Sequence, residues 1–362
     1  MLYHLLYPLS EFWFGFNVFK YITFRASMAA VTAFAICLIF GPAMIEWLRR
    51  IKAGQYVRKD YMESLADYQN KKEGTPTMGG LLVILAVLVS TLLWARLDND
   101  FVILCLGGMV WMGAVGFMDD YLKLKKKNAD GIQARAKLAG QIGLALIVGI
   151  FVIQNRDIGS ALYLPFVKNA VFNLGALYIL FALIVIVGSS NALNLTDGLD
   201  GLAIGCTVFI TLTFSVLSYV TGHAELSRYL QVFYLPGAGE LTVFCAALSG
   251  AALGFLWFNC HPANVFMGDT GSLSLGGAIA IVSVLLKKEF ILLIVGGVLA
   301  MEAMSVILQV ASYKTRKKRI FLMSPIHHHF QMKGLHESKI TVRFWIVSAI
   351  LALVGLATLK VL

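Results

Sequence analysis

The sequence predicts an all-α, polytopic integral membrane protein. Of its 362 residues, 59% are hydrophobic and only 14% are charged, whereas a soluble domain has about 25% charged residues. The mean hydropathy is +0.78. Apolar runs of about 20 residues recur along the chain, and each is long enough to cross a bilayer as a helix. The runs are continuous and do not alternate at a period of two, which excludes a membrane β-barrel.

Ten transmembrane helices are predicted from these runs. The predicted spans are residues 22–47, 79–97, 101–118, 138–154, 170–188, 199–219, 241–258, 270–286, 290–311 and 340–360.

Lysine and arginine are concentrated in three segments between the predicted spans. Loop 48–78 contains seven of them, loop 119–137 six and loop 312–339 seven. Positively charged loops stay in the cytoplasm, and the alternation of spans adds loops 189–198 and 259–269 to that side. Both termini are then predicted on the opposite side. Membrane topology explains the net charge of +10, so we expect no nucleic-acid partner.

Every polar cluster that could carry chemistry lies on the predicted cytoplasmic side. The clusters are TPTMGG (75–80), DDYLK (119–123), NALNLTDGLDG (191–201), NCHPANVFMGDTGS (259–272) and PIHHHFQMKG (325–334). The segments on the other side have nothing comparable. The pattern therefore predicts one site assembled from several helix ends.

The adjacent pair Asp119 and Asp120 indicates a bound cation. Two neighbouring carboxylates repel each other, and the pKa of one of them rises unless a cation lies nearby. Hard oxygen ligands suit Mg²⁺, which takes one or two carboxylates together with substrate phosphates and water. The alternative is an ordinary polar helix end.

The aspartates of the next two clusters also allow two interpretations. NALNLTDGLDG lacks the twelve-residue spacing and the closing Glu of a calcium loop. Asp197 or Asp200 could cap the helix that follows, and Asp269 could cap the helix after FMG. Alternatively, the free N–H groups at that second helix start could bind phosphate.

Three further features have more than one interpretation. The triplet His327-His328-His329 cannot easily place three consecutive rings on one zinc ion, so phosphate contact or proton transfer is favoured. Glu302 lies inside a predicted span, where a carboxyl group is costly and marks a functional or paired site, or a bend. Gly250 and Gly254 form a GxxxG pattern that is typical of helix packing, and dimerisation is a special case of it.

The five motifs, in this order, resemble the bacterial phospho-N-acetylmuramoyl-pentapeptide transferases, the MraY family, from about residue 20 to the end. The resemblance implies transfer of phospho-MurNAc-pentapeptide from UDP-MurNAc-pentapeptide to undecaprenyl phosphate, with Mg²⁺, giving lipid I and UMP. It also implies ten transmembrane helices, both termini periplasmic, and a homodimer in the bacterial cytoplasmic membrane. The chain 1–362 would be a single transmembrane catalytic domain whose active-site loops are 48–78, 119–137, 189–198, 259–269 and 312–339.

The resemblance further implies roles for individual residues. Asp269 would be a direct Mg²⁺ ligand. Asp119 and Asp120 would both be needed for catalysis, with Asp119 as the base towards the lipid phosphate. The implied neighbours of these aspartates are Asn191, Asn194 and Asp197. The implied phosphate or pyrophosphate contacts are Lys72, Lys123 and His328 or His329. The implied uridine pocket consists of Lys72, Leu199, Asp200, Asn259 and Phe266, with Phe266 stacked on the base. A groove near the bent span 290–311, which holds Glu302 and Gln309, would receive the polyprenyl chain.

Two other functions remain open. A sister enzyme that transfers N-acetylhexosamine-1-phosphate to a polyprenyl phosphate would share the paired aspartates, although TPTMGG and PIHHHFQMKG favour the muramoyl-pentapeptide branch. A secondary transporter also has intramembrane acids and broken helices, but it would place them near the midplane, often with repeat symmetry.

Overall fold

The protein is built almost entirely from helices in the computed structural model, which describes residues 1–51, 74–126, 131–165, 167 and 171–359. Lys72 lies outside the described residues. The helices are α1 (Leu2–Leu6), α2 (Ile22–Arg50), α3 (Gly80–Trp94), α4 (Asp100–Lys126), α5 (Ala134–Gln154), α6 (Tyr178–Thr196), α7 (Leu202–Gly222), α8 (Ala224–Leu230), α9 (Leu241–Asn259), α10 (Gly268–Leu285), α11 (Glu289–Val295), α12 (Gly297–Arg316), α13 (Ile326–Met332) and α14 (Glu337–Ala357). A short antiparallel pair, β1 (Ala161–Leu162) and β2 (Phe172–Asn173), lies between α5 and α6.

Within the described residues, eight helices are long and apolar enough to cross a membrane. A ninth span results if α11 and α12, which are bent by 85° relative to each other, count as one. The remaining predicted span, 79–97, corresponds to α3, an apolar helix of 15 residues. The polytopic helical class is therefore confirmed, and the number ten stays a prediction.

All five predicted cytoplasmic loops begin within the preceding helix, and the difference is largest for two of them. α4 continues to Lys126 and α6 to Thr196, so the first residues of loops 119–137 and 189–198 are helical. Hydropathy marks where a chain leaves the apolar layer, whereas helical hydrogen bonding continues here through Asp, Ser and Asn, because tertiary packing overrides their weak helix propensity. The paired aspartates and both asparagines of the candidate site therefore lie on helices.

The most buried spanning helix is α10, which begins at the candidate site. Of its apolar stretch, 89% is buried inside the protein, compared with 28% for α2 and 33% for α5 and α14. Its sequence, GDTGSLSLGGAIAIVSVL, is rich in Gly, Ser and Ala. Small residues let helix backbones approach closely inside a membrane, so this helix forms the centre around which the site is assembled.

The GxxxG pattern of α9 packs against α2 of the same chain. A Cβ added to Gly250 would overlap the carbonyl oxygen of Ala30, and one added to Gly254 would lie 2.6 Å from Cys37 Cβ. No side chain fits in that space. This confirms the helix-packing interpretation.

Gly250→Val is expected to lower the unfolding temperature in detergent, because the two backbones must separate to make room. Forced overpacking costs about 1–3 kcal/mol. The matched control is Gly107→Val on α4, where nothing in the described chain lies within 4 Å of an added Cβ. Equal unfolding temperatures for the two variants would contradict close α2–α9 packing at Gly250.

Candidate active site

Three carboxylates from two helices meet at one end of the bundle. Asp119 and Asp120 lie on α4, and Asp269 lies in the first turn of α10. Each offers an oxygen atom, and these atoms lie within 4.8 Å of one another. Asp119 and Asp120 are buried, whereas Asp269 is partly exposed. The structure thus brings together the three predicted aspartates.

Two lysines neutralise most of this negative charge. Nζ of Lys123 lies 2.5 Å from Asp119 Oδ2 and 3.1 Å from Asp269 Oδ2. Nζ of Lys137, on α5, lies 2.7 Å from the same Asp269 oxygen. Among the described residues, these three carboxylates and two ammonium groups leave a formal charge of −1. One divalent cation would make the cluster positive, which suits a phosphate-bearing ligand.

Lys137 is a site residue that could not be singled out from the sequence. There it is one of six basic residues in a predicted cytoplasmic loop, and nothing local separates it from the others. Only the packing of α5 against α4 and α6 brings its ammonium group to Asp269.

Asp120, which lies on α4, caps the first turn of the neighbouring helix α10. Its Oδ2 accepts the backbone N–H of Thr270 at 2.9 Å and the Thr270 hydroxyl at 2.7 Å, and its Oδ1 accepts the Asp269 N–H at 3.3 Å. The N-cap residue is Met267, with no side-chain cap of its own among the described residues. The prediction that Asp269 caps this helix is therefore wrong. Phosphate binding at these two N–H groups is also wrong, because Asp120 uses them.

The two predicted asparagines have different partners. Asn194 donates to Asp269 Oδ1 and to Ser272 Oγ, both at 2.8 Å, and so belongs to the cluster. Asn191 donates instead to Gln141 Oε1 at 3.1 Å and to the Val187 carbonyl at 2.8 Å. Asn191 therefore ties α6 to α5 one turn before the cluster.

The described residues of the predicted uridine pocket lie in two neighbouring turns that Asn259 joins; the fifth predicted residue, Lys72, is outside the described residues. Asn259 Oδ1 accepts the Gly201 N–H at 3.1 Å, and its Nδ2 donates to the Val265 carbonyl at 2.8 Å. Leu199 is buried, whereas Phe266 is partly exposed. The hydrogen bonds of Asn259 thus join the turn that contains Leu199 to the segment that contains Phe266.

Asp200 and Asp197 flank the same turn. Oδ2 of Asp200 lies 3.0 Å from His261 Nδ1, and its backbone N–H donates to Glu337 Oε1 at 2.7 Å. Neither His261 nor Glu337 was predicted as a site neighbour from the sequence. Asp197 follows the last residue of α6. Within the described chain the N-cap of α7 is Gly201, without a side-chain cap, so the prediction that either aspartate caps α7 is wrong.

The TPTMGG segment lies against the start of α10. The Gly79 N–H donates to the Phe266 carbonyl, and the Gly80 N–H donates to the Met267 carbonyl, both at 2.9 Å. Gly268, which follows Met267 in the chain, has φ +73°, and a Cβ there would lie 2.6 Å from Asp120 Oδ2. Only glycine satisfies both conditions. The TPTMGG motif therefore holds the backbone just before α10, the helix that carries Asp269.

The three histidines of α13 have separate partners. His327 is buried against Glu302, His328 Nδ1 lies 2.7 Å from Gln331 Oε1, and His329 Nδ1 accepts the backbone N–H of residue 322 at 3.1 Å. Partial burial and the nearby Lys333 lower the pKa of His329. Among the described residues, the triplet belongs to neither group of side chains that could hold a metal ion.

Gln309 holds the segment that follows α12. Its Oε1 accepts the N–H groups of Ile320 and Phe321 at 3.0 Å, and its Nε2 donates to the Phe321 carbonyl at 2.9 Å. The predicted role of Gln309 in substrate binding stays a prediction.

The fold and the site together define a polytopic helical membrane protein with a carboxylate–lysine site at one end. The family model for glycosyl transferase family 4 matches residues 102–287. A signature of phospho-N-acetylmuramoyl-pentapeptide-transferases matches residues 72–84.

Relatives that match over the full length of the chain identify a narrower family within this class of membrane proteins. Phospho-N-acetylmuramoyl-pentapeptide-transferases from Desulfotalea psychrophila and Citrifermentans bemidjiense are each 54% identical over 99% of both chains. The one from Endomicrobium trichonymphae is 48% identical over 100% of both. The chain belongs to the phospho-N-acetylmuramoyl-pentapeptide-transferase family.

Proposed function

We propose that this protein transfers phospho-MurNAc-pentapeptide from UDP-MurNAc-pentapeptide to undecaprenyl phosphate, producing lipid I and UMP. The observation that carries the proposal is the convergence of Asp119, Asp269, Lys123 and Lys137 at one end of the bundle. Such a cluster suits the meeting of two phosphate-bearing substrates, because phosphoryl transfer needs charge neutralisation and positioning more than covalent help.

The proposed reaction forms one P–O bond and breaks another. An oxygen of the lipid phosphate attacks the phosphorus that carries the sugar, and the bond from that phosphorus to the bridging oxygen breaks. UMP leaves with the bridging oxygen. The second pKa of a phosphate monoester is near 6, so much of the acceptor is already a dianion at neutral pH, and base assistance from Asp119 is a secondary contribution.

The carboxylate cluster has the hard oxygen donors that Mg²⁺ prefers. Asp269 is the proposed ligand because its carboxylate is the most exposed of the three, whereas both oxygens of Asp120 accept hydrogen bonds from the start of α10. When bound, the ion would supply charge neutralisation at the diphosphate. Lys123 and Lys137 would then turn from Asp269 to the phosphate oxygens, since one carboxylate oxygen serves both of them at present.

The other predicted roles remain part of the proposal. Asn194 is proposed to orient Asp269 and Asp197 to line the site, and Asn191 to support it one turn away through Gln141. The uridine is proposed to lie at the junction of the 197–201 and 259–266 turns, against Phe266. The proposed remaining contacts are Lys72, His328 and His329 to phosphate, Leu199, Asp200 and Asn259 to the nucleoside, and Gln309 beside the polyprenyl groove.

The topology is likewise proposed from charge. Ten spans with the basic loops inside would place both termini in the periplasm and the site at the cytoplasmic face of the inner membrane, where a soluble nucleotide sugar meets a membrane lipid. The chain would act as a single transmembrane catalytic domain within a homodimer.

The test is UMP release by the purified protein with UDP-MurNAc-pentapeptide, undecaprenyl phosphate and Mg²⁺, and with each of these omitted in turn. We expect UMP and lipid I only in the complete mixture. Turnover with UDP-GlcNAc in place of the pentapeptide substrate would instead support an N-acetylhexosamine-1-phosphate transferase. A protein that releases no UMP with either nucleotide sugar would contradict the proposal.

A further inference from the structure

One buried pair of ionisable side chains lies apart from the carboxylate–lysine cluster. Glu302 is in the second turn of α12, after the bend, and its Oε2 lies 3.1 Å from Nδ1 of His327, the first residue of the His triplet. Both side chains are completely buried. A carboxyl group removed from water must be hydrogen-bonded or paired, so the conformations of these two side chains depend on each other.

The ring of His327 is also packed against the turn that follows α6. Its other nitrogen, Nε2, has no hydrogen-bond partner among the described residues, and a Cβ added to Gly198 would overlap that nitrogen. A buried N–H without an acceptor is costly. The tautomer that suits this environment therefore has its hydrogen on Nδ1, where Glu302 accepts it, and Glu302 sets both the tautomer and the ring orientation.

The rest of the triplet depends on the placement of this ring. The ring centroids of His327 and His328 are 4.2 Å apart, and both residues lie on the seven-residue helix α13. A displaced His327 would shift His328 and would press on Gly198 in the turn that carries Leu199. Two parts of the proposed substrate site thus share one internal support.

We infer that Glu302 is a positioning residue that acts through His327 to hold the His triplet and the 197–201 turn in their working arrangement. The inference rests on the proposed function, in which His328 or His329 contacts the diphosphate and the turn contacts the nucleoside. Because Glu302 lies on α12, just after the bend between α11 and α12, the same pair also links that helix to the site.

The first test compares Glu302→Met with Glu302→Gln. Met removes the acceptor, whereas the Gln carbonyl oxygen can still accept the Nδ1 hydrogen. Small misplacements of site groups can cost about 100-fold in rate, so we expect Glu302→Met to reduce kcat about 10- to 100-fold, with KM for the nucleotide sugar changed less. Glu302→Gln is expected to recover most of the lost kcat, which general destabilisation would not explain.

The second test leaves the pair intact and displaces the ring from the other side. Gly198→Ala places a Cβ against His327 Nε2 and is expected to reduce kcat as Glu302→Met does. The matched control is Gly188→Ala on α6, where nothing in the described chain lies within 4 Å of the added Cβ; its kcat should equal that of the unmodified protein. Gly198→Ala also keeps the inference testable if Glu302→Met fails to fold.

The unmodified protein is assayed in parallel, which separates failure of the proposed function from failure of the inference. Absence of UMP release from it would overturn the proposed function and the inference together. Normal turnover by the unmodified protein, with unchanged kcat for Glu302→Met or for Gly198→Ala, would overturn only the inference. Equal losses for Glu302→Gln and Glu302→Met would also overturn it, because hydrogen-bond acceptance would then not matter.

Discussion

Asp269→Asn is expected to abolish the Mg²⁺-dependent release of UMP, with a loss of about 10³-fold or more in kcat. The amide can still accept the hydrogen bond from Asn194, so the fold of the site should survive. It loses the negative charge that holds Lys123 and Lys137 at 3.1 and 2.7 Å. It also loses the anionic oxygen that the proposed metal ion requires.

Initial rates of UMP release at increasing Mg²⁺ concentration measure this loss. A second readout is independent of turnover: Mg²⁺ should raise the unfolding temperature of the unmodified protein, since a ligand that binds only the folded state stabilises it, and this shift should disappear in the variant. Asp157→Asn, at an exposed carboxylate after α5, is the control for loss of one negative charge. Near-normal turnover by Asp269→Asn would rule out Asp269 as the metal ligand.

Lys137→Met is expected to lower kcat/KM about 100-fold, the effect typical of removing one charged group that stabilises a transition state. Met preserves much of the aliphatic stem, so packing of α5 changes little. Within the part of the chain that the structure describes, Asp269 Oδ2 then keeps Lys123 as its one cationic partner, and the formal charge of the cluster changes from −1 to −2. Both changes disfavour the binding of an anionic diphosphate.

Lys126→Met provides the matched control, because Lys126 is an exposed basic residue at the end of α4. It lowers the overall positive charge by the same amount without removing a contact to Asp269. We expect less than about a threefold change, reduced further by salt, because long-range attraction between exposed charges is screened. Similar losses in the two variants would mean that Lys137 contributes only to general electrostatic attraction.

The sequence was sufficient for the class of fold, because hydropathy and the clustering of lysine and arginine are recorded residue by residue. It also identified Asp119, Asp120 and Asp269, since polar residues stand out between apolar runs. The C-terminal ends of α4 and α6 were predicted less well from the sequence. Helical hydrogen bonding continues past the apolar layer, and a loop predicted from hydropathy therefore begins before the helix ends.

The sequence could not predict which contact each polar residue makes. Lys137 and the other lysines of its loop are locally alike, and only the packing of α5 against α4 and α6, which brings Lys137 to Asp269, distinguishes it. The adjacent aspartates look equivalent, yet one accepts from backbone N–H groups of α10 and the other contacts Lys123. Glu302 and His327 are 25 residues apart in the chain, and their contact depends on the bend after α11.

Asp120 caps the N-terminus of α10, so the start of this helix and the carboxylate site are held together by the same side chain. The Asp120 carboxylate on α4 fixes the height of α10 relative to α4 together with the hydrogen bond from Ser274 Oγ to the Met109 carbonyl. A slip of one helical turn, about 5.4 Å, would separate Asp269 from both Asp119 and Lys123. Relative sliding of these two helices would therefore disassemble the site completely instead of weakening it gradually. The loss of activity on removing the Asp120 side chain would report how firmly the two helices are held in register.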